Sequence, residues 1–284
     1  MSVATAPEPI VVKASQTIHI ISHSTLFYWW PVWVAGFALT LLTFAADTHM
    51  VFVPTSTVAL KDAIVTGEKD GKPVSYQKND VLIVEKGQLP GVGNTLDQPR
   101  LHAANNPSYG VLFVLVLLLV IFITNVPLRG MWSGIVIGLI VLGSIIFQLA
   151  GFWEPIVHTL YFLDVRMNAA GYLLISGVLF AMWLFTVLLF DRQIYMIFSE
   201  GQLKVCTEIG GGEKVYDANG MTLEKQRSDL FRHWMLGLGS GDLIVRTSGA
   251  QAHQFDMPNV LFIGSKVRQI EEMLRNKSVV ASPG

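Results

Sequence analysis

Four apolar runs without one Asp, Glu, Lys, Arg or His constrain this chain most: Leu26 to Ala46, Gly110 to Thr124, Met131 to Leu149 and Gly171 to Phe190. A bilayer core about 30 Å thick takes about 20 helical residues to cross, with a lower limit near 17. Gly110 to Thr124 falls short by itself and reaches that limit when extended to Tyr109 and Pro127. None of the four runs carries the polar stripe that a water-facing helix needs. Four membrane-spanning helices are therefore expected. The first run is preceded by some 25 residues with one Lys and exceeds the apolar stretch of a signal peptide, so it reads as an uncleaved first span.

The expected fold is an α+β membrane protein. An N-terminal segment (1–25) precedes a first span (26–47), a β-rich outer loop domain (48–109), and second and third spans (110–127 and 130–150). An interfacial helix (152–169), a fourth span (170–190), a soluble tail domain (191–277) and a disordered end (278–284) follow. Arg129 and Arg192 flank the spans on one side, which the positive-inside rule makes cytoplasmic; Arg166 opposes them. Both termini are then cytoplasmic, and the protein is multi-pass in an inner, cytoplasmic or intracytoplasmic membrane. Its constant partner is the lipid bilayer.

Tyr28, Trp29, Trp30 and Trp33 open the first span, where amphipathic rings suit the headgroup level, and Pro31 suits a first helical turn. Gly130, Gly134 and Gly138 recur every fourth residue on the third span. Such a face admits another backbone closely. Packing against the fourth span and a seam between copies of the chain both account for it.

In the outer loop, short apolar runs from Val51 to Val84 read as strands, and Gly67 to Pro73 reads as a turn between two of them. A small β-rich cap is expected. Ile156, Val157, Leu160, Tyr161 and Leu163 recur at helical spacing and fit a helix lying on the bilayer.

Past Arg192 the pattern changes to strands over Gln193 to Phe198, Gln202 to Ile209, Lys214 to Tyr216, Asp242 to Thr247 and Gln251 to Phe255. Phe262 to Asn276 is an amphipathic helix with Phe262, Ile263, Val267, Ile270, Met273 and Leu274 on its apolar face. The segment Arg192-Gln-Ile-Tyr, the run Leu236-Gly-Leu-Gly-Ser-Gly-Asp-Leu-Ile-Val-Arg-Thr-Ser-Gly249, Phe255-Asp-Met-Pro-Asn-Val260 and the closing helix resemble bacterial pleckstrin-homology-like domains. The resemblance covers residues 191–277 and implies a half-open barrel plugged by a helix, used for binding or assembly rather than catalysis. A phosphoinositide site in that family needs a basic first hairpin, whereas Lys204, Glu208, Glu213 and Lys214 balance here.

Charge and motif content narrow the function further. Asp191 to Lys277 carries eleven basic and eleven acidic residues, which argues against capture of nucleic acid by phosphate neutralisation. Cys206 is the single cysteine, so no intrachain disulfide or cysteine cluster forms, and a buried strand position suits it. Gly237-Leu-Gly239-Ser-Gly241 lacks the third glycine of a dinucleotide fingerprint, and Gly210-Gly-Gly212 lacks the Lys-Ser/Thr of a P-loop. His19 and His23 stand four apart with no third ligand nearby and read as packing residues. His49, His102 and His158 share the outer side and are the candidate metal ligands. Charge-free spans argue against transport and proton relay, which need ionisable groups inside the membrane.

The reading is a non-catalytic scaffold, adaptor or complex subunit without a cofactor, forming a homo-oligomer or joining other membrane-protein subunits. The alternative is an accessory subunit or enzyme that binds metal or lipid through the outer loop and its histidines.

Overall fold

The computed structural model describes residues 17–69, 71–85, 91, 92, 95, 96, 100–126, 128, 130–207, 210–227, 229–249 and 252–280. Arg129, Pro127, Glu208 and most of the N-terminal segment lie outside these residues. A strand β1 (Ile18–Ile21) leads through a 3₁₀ turn (Thr25–Trp29) into α1 (Trp30–Ala45). The outer loop holds β2 (His49–Met50), β3 (Val58–Lys69), β4 (Lys72–Ile83), β5 (Gly91–Val92), β6 (Thr95–Leu96) and β7 (Leu101–His102). Next come α2 (Ser108–Asn125), α3 (Met131–Leu149), α4 (Trp153–Phe162) and α5 (Ala169–Phe185). The tail adds β8 (Tyr195–Ser199), β9 (Gln202–Cys206), β10 (Lys214–Asp217), β11 (Thr222–Gln226), β12 (Gly241–Arg246), β13 (Gln254–Val260) and α6 (Ile263–Val280).

Four helices among the described residues are long and apolar enough to cross a membrane: Thr25–Ala45, Ser108–Asn125, Met131–Leu149 and Ala169–Gln193. Each arises from one of the four charge-free runs. Two threonines of the first span bond locally: the Thr40 and Thr43 hydroxyls donate to the Gly36 and Leu39 carbonyls. This satisfies donors that have no water available in hydrocarbon. α1 packs closely on α5, where Gly36 meets Ser176, and any Cβ at Gly36 would overlap the Ser176 Oγ. Gly110 likewise lies against the Val165 backbone.

The glycines singled out on the third span behave differently. A Cβ at Gly130, Gly134 or Gly138 would meet nothing within 4 Å, and Ser133 is the one buried residue of α3. Packing of that face against the fourth span is therefore not what the chain does with it. The close approaches in the bundle are made by Gly36 and Gly110 instead.

The tail forms two antiparallel sheets, β1-β8-β9-β10 and β11-β12-β13. Alternate residues Met196, Phe198, Leu203, Val205, Leu243 and Val245 turn inward, and α6 closes the core with Ile263, Val267, Ile270 and Met273. Two of these strands went unread in the sequence. β11 reads Thr-Leu-Glu-Lys-Gln and is mostly polar. β1 precedes the first span and pairs with β8, Ile18 opposite Phe198 and Ile21 opposite Tyr195. Ile20 is fully buried in the tail core, so the tail's fold includes residues placed in the N-terminal segment. α6 also extends to Val280, which makes 278–280 helical rather than disordered.

The outer loop is less domain-like than expected. β3 and β4 pair over 12 residues each, from Val58 opposite Ile83 to Lys69 opposite Lys72. Among the described side chains from Thr48 to Glu85 none is buried. Over these residues it is a long two-stranded hairpin. α4 gives a helix within the expected 152–169 stretch and buries no residue.

Candidate functional site

The span bundle and the tail meet at a built junction. Tyr28, at the start of the first span, is fully buried. Its hydroxyl donates to Asn259 Oδ1 (2.9 Å) and accepts from the Ser240 hydroxyl (3.0 Å). The Trp30 indole N–H donates to the Leu236 carbonyl (2.9 Å), and the Trp183 indole donates to the Phe27 carbonyl (3.0 Å). Trp33 packs edge-on to Phe180, with ring centroids 5.0 Å apart. Two members of the aromatic cluster read as a headgroup belt, Tyr28 and Trp30, thus belong to a protein seam, because their polar tips find a carbonyl and polar side chains of the tail. Gly237 explains part of the glycine-rich turn: any Cβ there would overlap Ser240 and press on Tyr28.

His23 and Asp191 secure the same seam from behind. The His23 Nδ1 lies 2.9 Å from Asp191 Oδ2, while the Ser24 amide donates to Asp191 Oδ1 (3.1 Å). His23 therefore packs as expected, and His19 lies on strand β1 with its side chain exposed. Asn259, at positive φ, donates to the His23 carbonyl. Ser22 donates to the Pro258 carbonyl.

Beside this seam lies a charged cluster that sequence reasoning missed. The π-type turn Phe231–Leu236 begins after Asp229, whose carboxylate accepts from the Arg232 amide (2.9 Å). Asp229 and His233 are each 2% exposed. Arg232 reaches Asp242 Oδ2 at 3.3 Å, and His233 Nε2 lies 3.4 Å from Asp242 Oδ1. Burial pushes the Asp242 carboxyl upward, but the His233 hydrogen bond, the Asn259 amide and the charges of His233 and Arg232 prevail and hold it below its ordinary value. His233 Nδ1 is buried without a hydrogen-bond partner among the described residues. The pair Arg232-His233 looked unremarkable in sequence because Asp242 and Asn259 reach it only through the fold.

At the opposite end of the bundle, β2 pairs with β7 so that His49 stands directly across from His102. Their ring centroids are 4.3 Å apart, and Phe44 stacks on His102 at 5.0 Å. Asp47 adds a carboxylate 3.9 Å from His102 Nε2. One ligand atom from each of Asp47, His49 and His102 lies within 4.8 Å of the other two. Two imidazoles and a carboxylate suit zinc, copper, nickel or ferrous iron, with positions left open for water. His158 is on α4 and is not part of this group. Asp47 went unread because a third histidine was sought, although Asp-Thr-His leading into a strand offered the signal. In the first tail hairpin, Lys204 is 3.7 Å from Glu213, which also accepts from Tyr195 (2.7 Å). Cys206 is buried. Comparison with protein-family models, curated proteins and solved structures found no match.

Proposed function

We propose that this chain is a non-catalytic membrane scaffold or complex subunit whose four spans carry a pleckstrin-homology-like module on the cytoplasmic face of an inner membrane. One observation carries the reading. The strand before the first span and the strand after the fourth pair with each other, so the bundle is an insertion inside one β-module. Sheets of four and three strands closed by a C-terminal helix support the family resemblance. Internal pairing of Lys204 with Glu213 supports a module that docks on protein rather than on phosphoinositide. The open Gly130, Gly134 and Gly138 face supports self-association, since a backbone-accessible face without an occupant among the described residues is suited to a second helix.

The test is the mass of the particle extracted from native membranes in mild detergent. The expected result is a particle of two or more chains, or of one chain with stoichiometric partner subunits, and Gly134→Leu should lower its mass. A single-chain particle would overturn the proposal.

A second reading rests on Asp47, His49 and His102: an accessory subunit that holds a transition-metal ion at the outer membrane surface. After equilibration with zinc and desalting, it requires about one retained ion per chain, lost in His102→Ala. No retained zinc, copper or nickel would remove this reading.

A further inference from the structure

An apolar groove of about 510 Å³ opens between α3 and the tail. Its walls are Ile137, Ile140 and Val141 on one side and Leu230, Phe231 and Trp234 on the other. The α3 residues lie six to ten positions in from Met131, about 9–15 Å along the helix axis. This wall belongs to a helix apolar enough to cross a membrane, so the medium meeting the groove is lipid. The opposite wall reaches the same level, because Phe231 and Leu236 pack into the cluster formed by Phe27, Val32, Val120 and Ile123 of the spans. Trp234 is 78% exposed, with Leu230, Met235 and Leu238 also turned outward. A water-soluble domain has no reason to display such a set, whereas a segment dipping into the bilayer margin does.

The groove continues into a polar recess of about 140 Å³, sharing Leu230 and Trp234 with it. Arg227, Asp229, His233 and Ser240 also line the recess. Asp229 is already bound to the Arg232 amide and lies 3.9 Å from its side chain. Arg227 donates to the Gly239 carbonyl and has no acidic partner among the described residues. His233 brings the buried, unpartnered Nδ1. Where Arg232 donates to Nε2, the ring proton sits on Nδ1. In that tautomer Nδ1 is a donor without an acceptor; in the other, with Nε2–H donating to Asp242, Nδ1 is an unused acceptor.

We propose that this groove and recess together bind one anionic phospholipid, its acyl chain along α3 and its phosphate at Arg227 and His233. The volume falls within the range of about 300–1,000 Å³ typical of ligand sites. A guanidinium without an acidic partner among the described residues, together with the Nδ1–H tautomer of His233, matches phosphate oxygens, and the apolar wall matches a hydrocarbon chain. The site is separate from the first hairpin of the tail, and it stands whether or not the chain self-associates.

The test uses the full chain in nanodiscs containing phosphatidylglycerol and phosphatidylcholine, with retained lipid weighed by native mass spectrometry. One phosphatidylglycerol per chain should be retained. Ile140→Trp, at an outward-facing position, fills the groove and should lower that occupancy at least fivefold. Arg227→Gln should lower it at least threefold without changing the melting temperature. Where Ile140→Trp melts earlier than the native chain, Val141→Trp on the same wall repeats the blockade. Retention unchanged in the filled groove, no retained lipid, or phosphatidylcholine held as well as phosphatidylglycerol would each overturn the proposal.

Discussion

Tyr28 shows how a single side chain can change meaning between sequence and fold. Its ring type and its place at the start of a span are those of a headgroup residue, and nothing local says otherwise. Its partners Ser240 and Asn259 are 212 and 231 positions away, a separation no local pattern encodes. Tyr28→Phe leaves both partners buried without their bond, which costs about 1–3 kcal/mol. Circular dichroism melting of the tail signal in detergent should fall accordingly, while helix content from the spans stays. An unchanged melt would mean that the seam does not depend on this hydroxyl. Asp242 gives a pH-dependent counterpart. Its folded pKa lies below the ordinary 3.8, so its contribution is complete above about pH 4 and is lost as pH falls through the lower folded value. Asp242→Asn should therefore destabilise by about 1–3 kcal/mol at neutral pH and flatten the stability curve below pH 4. A native-like slope in the variant would assign the acid loss to other carboxylates.

Elements were legible in proportion to how local their signal is. The charge-free runs and the α6 stripe of Ile263, Val267, Ile270 and Met273 each carry a complete pattern within one stretch, and both became helices. β1 did not, because Ile18–Ile21 is four residues of Ile and His standing before a membrane span, and its reason for being a strand is β8. The outer hairpin was half legible: its turn was read, but the pairing of two 12-residue strands was not. The metal candidate was legible through His49 and His102 but not Asp47, since cross-strand register is what joins them. The strand pairing carries a prediction. Ser24 and Asp191 are in hydrogen-bond contact, so a short Gly/Ser linker can replace residues 25–190. The joined segment 17–24 plus 191–280 should fold cooperatively with a β-rich spectrum, and 191–280 alone should not. Ile20→Asp or Ile270→Asp in the joined form should abolish the transition, because an unpaired carboxylate in an apolar core costs several kcal/mol, comparable with a domain's whole stability of about 5–15 kcal/mol. Equal melts for the two fragments would make β1 dispensable.

At the scale of the whole molecule, the pairing of β1 with β8 demands an even number of membrane crossings between Ile21 and Tyr195. Four helices of spanning length meet that demand, and three or five would not. This argument is independent of loop charge, which matters because Arg129 lies outside the described residues and Arg166 is held locally by Asp164 at 2.7 Å. The same geometry separates the β3–β4 hairpin from the tail. β2 follows the end of α1 at Ala45, whereas the tail contacts the start of that helix through Trp30. Hairpin and tail should then lie on opposite faces of the membrane, and the proposed function takes the tail's face as the cytoplasmic one. Ser75 and Ala252 are both exposed and report on each face. Ser75→Cys should react with an impermeant maleimide on intact cells, while Ala252→Cys should react only after permeabilisation. Cys206 is buried and gives little background. Labelling of both from outside, or of Ala252→Cys alone, would reverse or break the topology on which the scaffold reading depends.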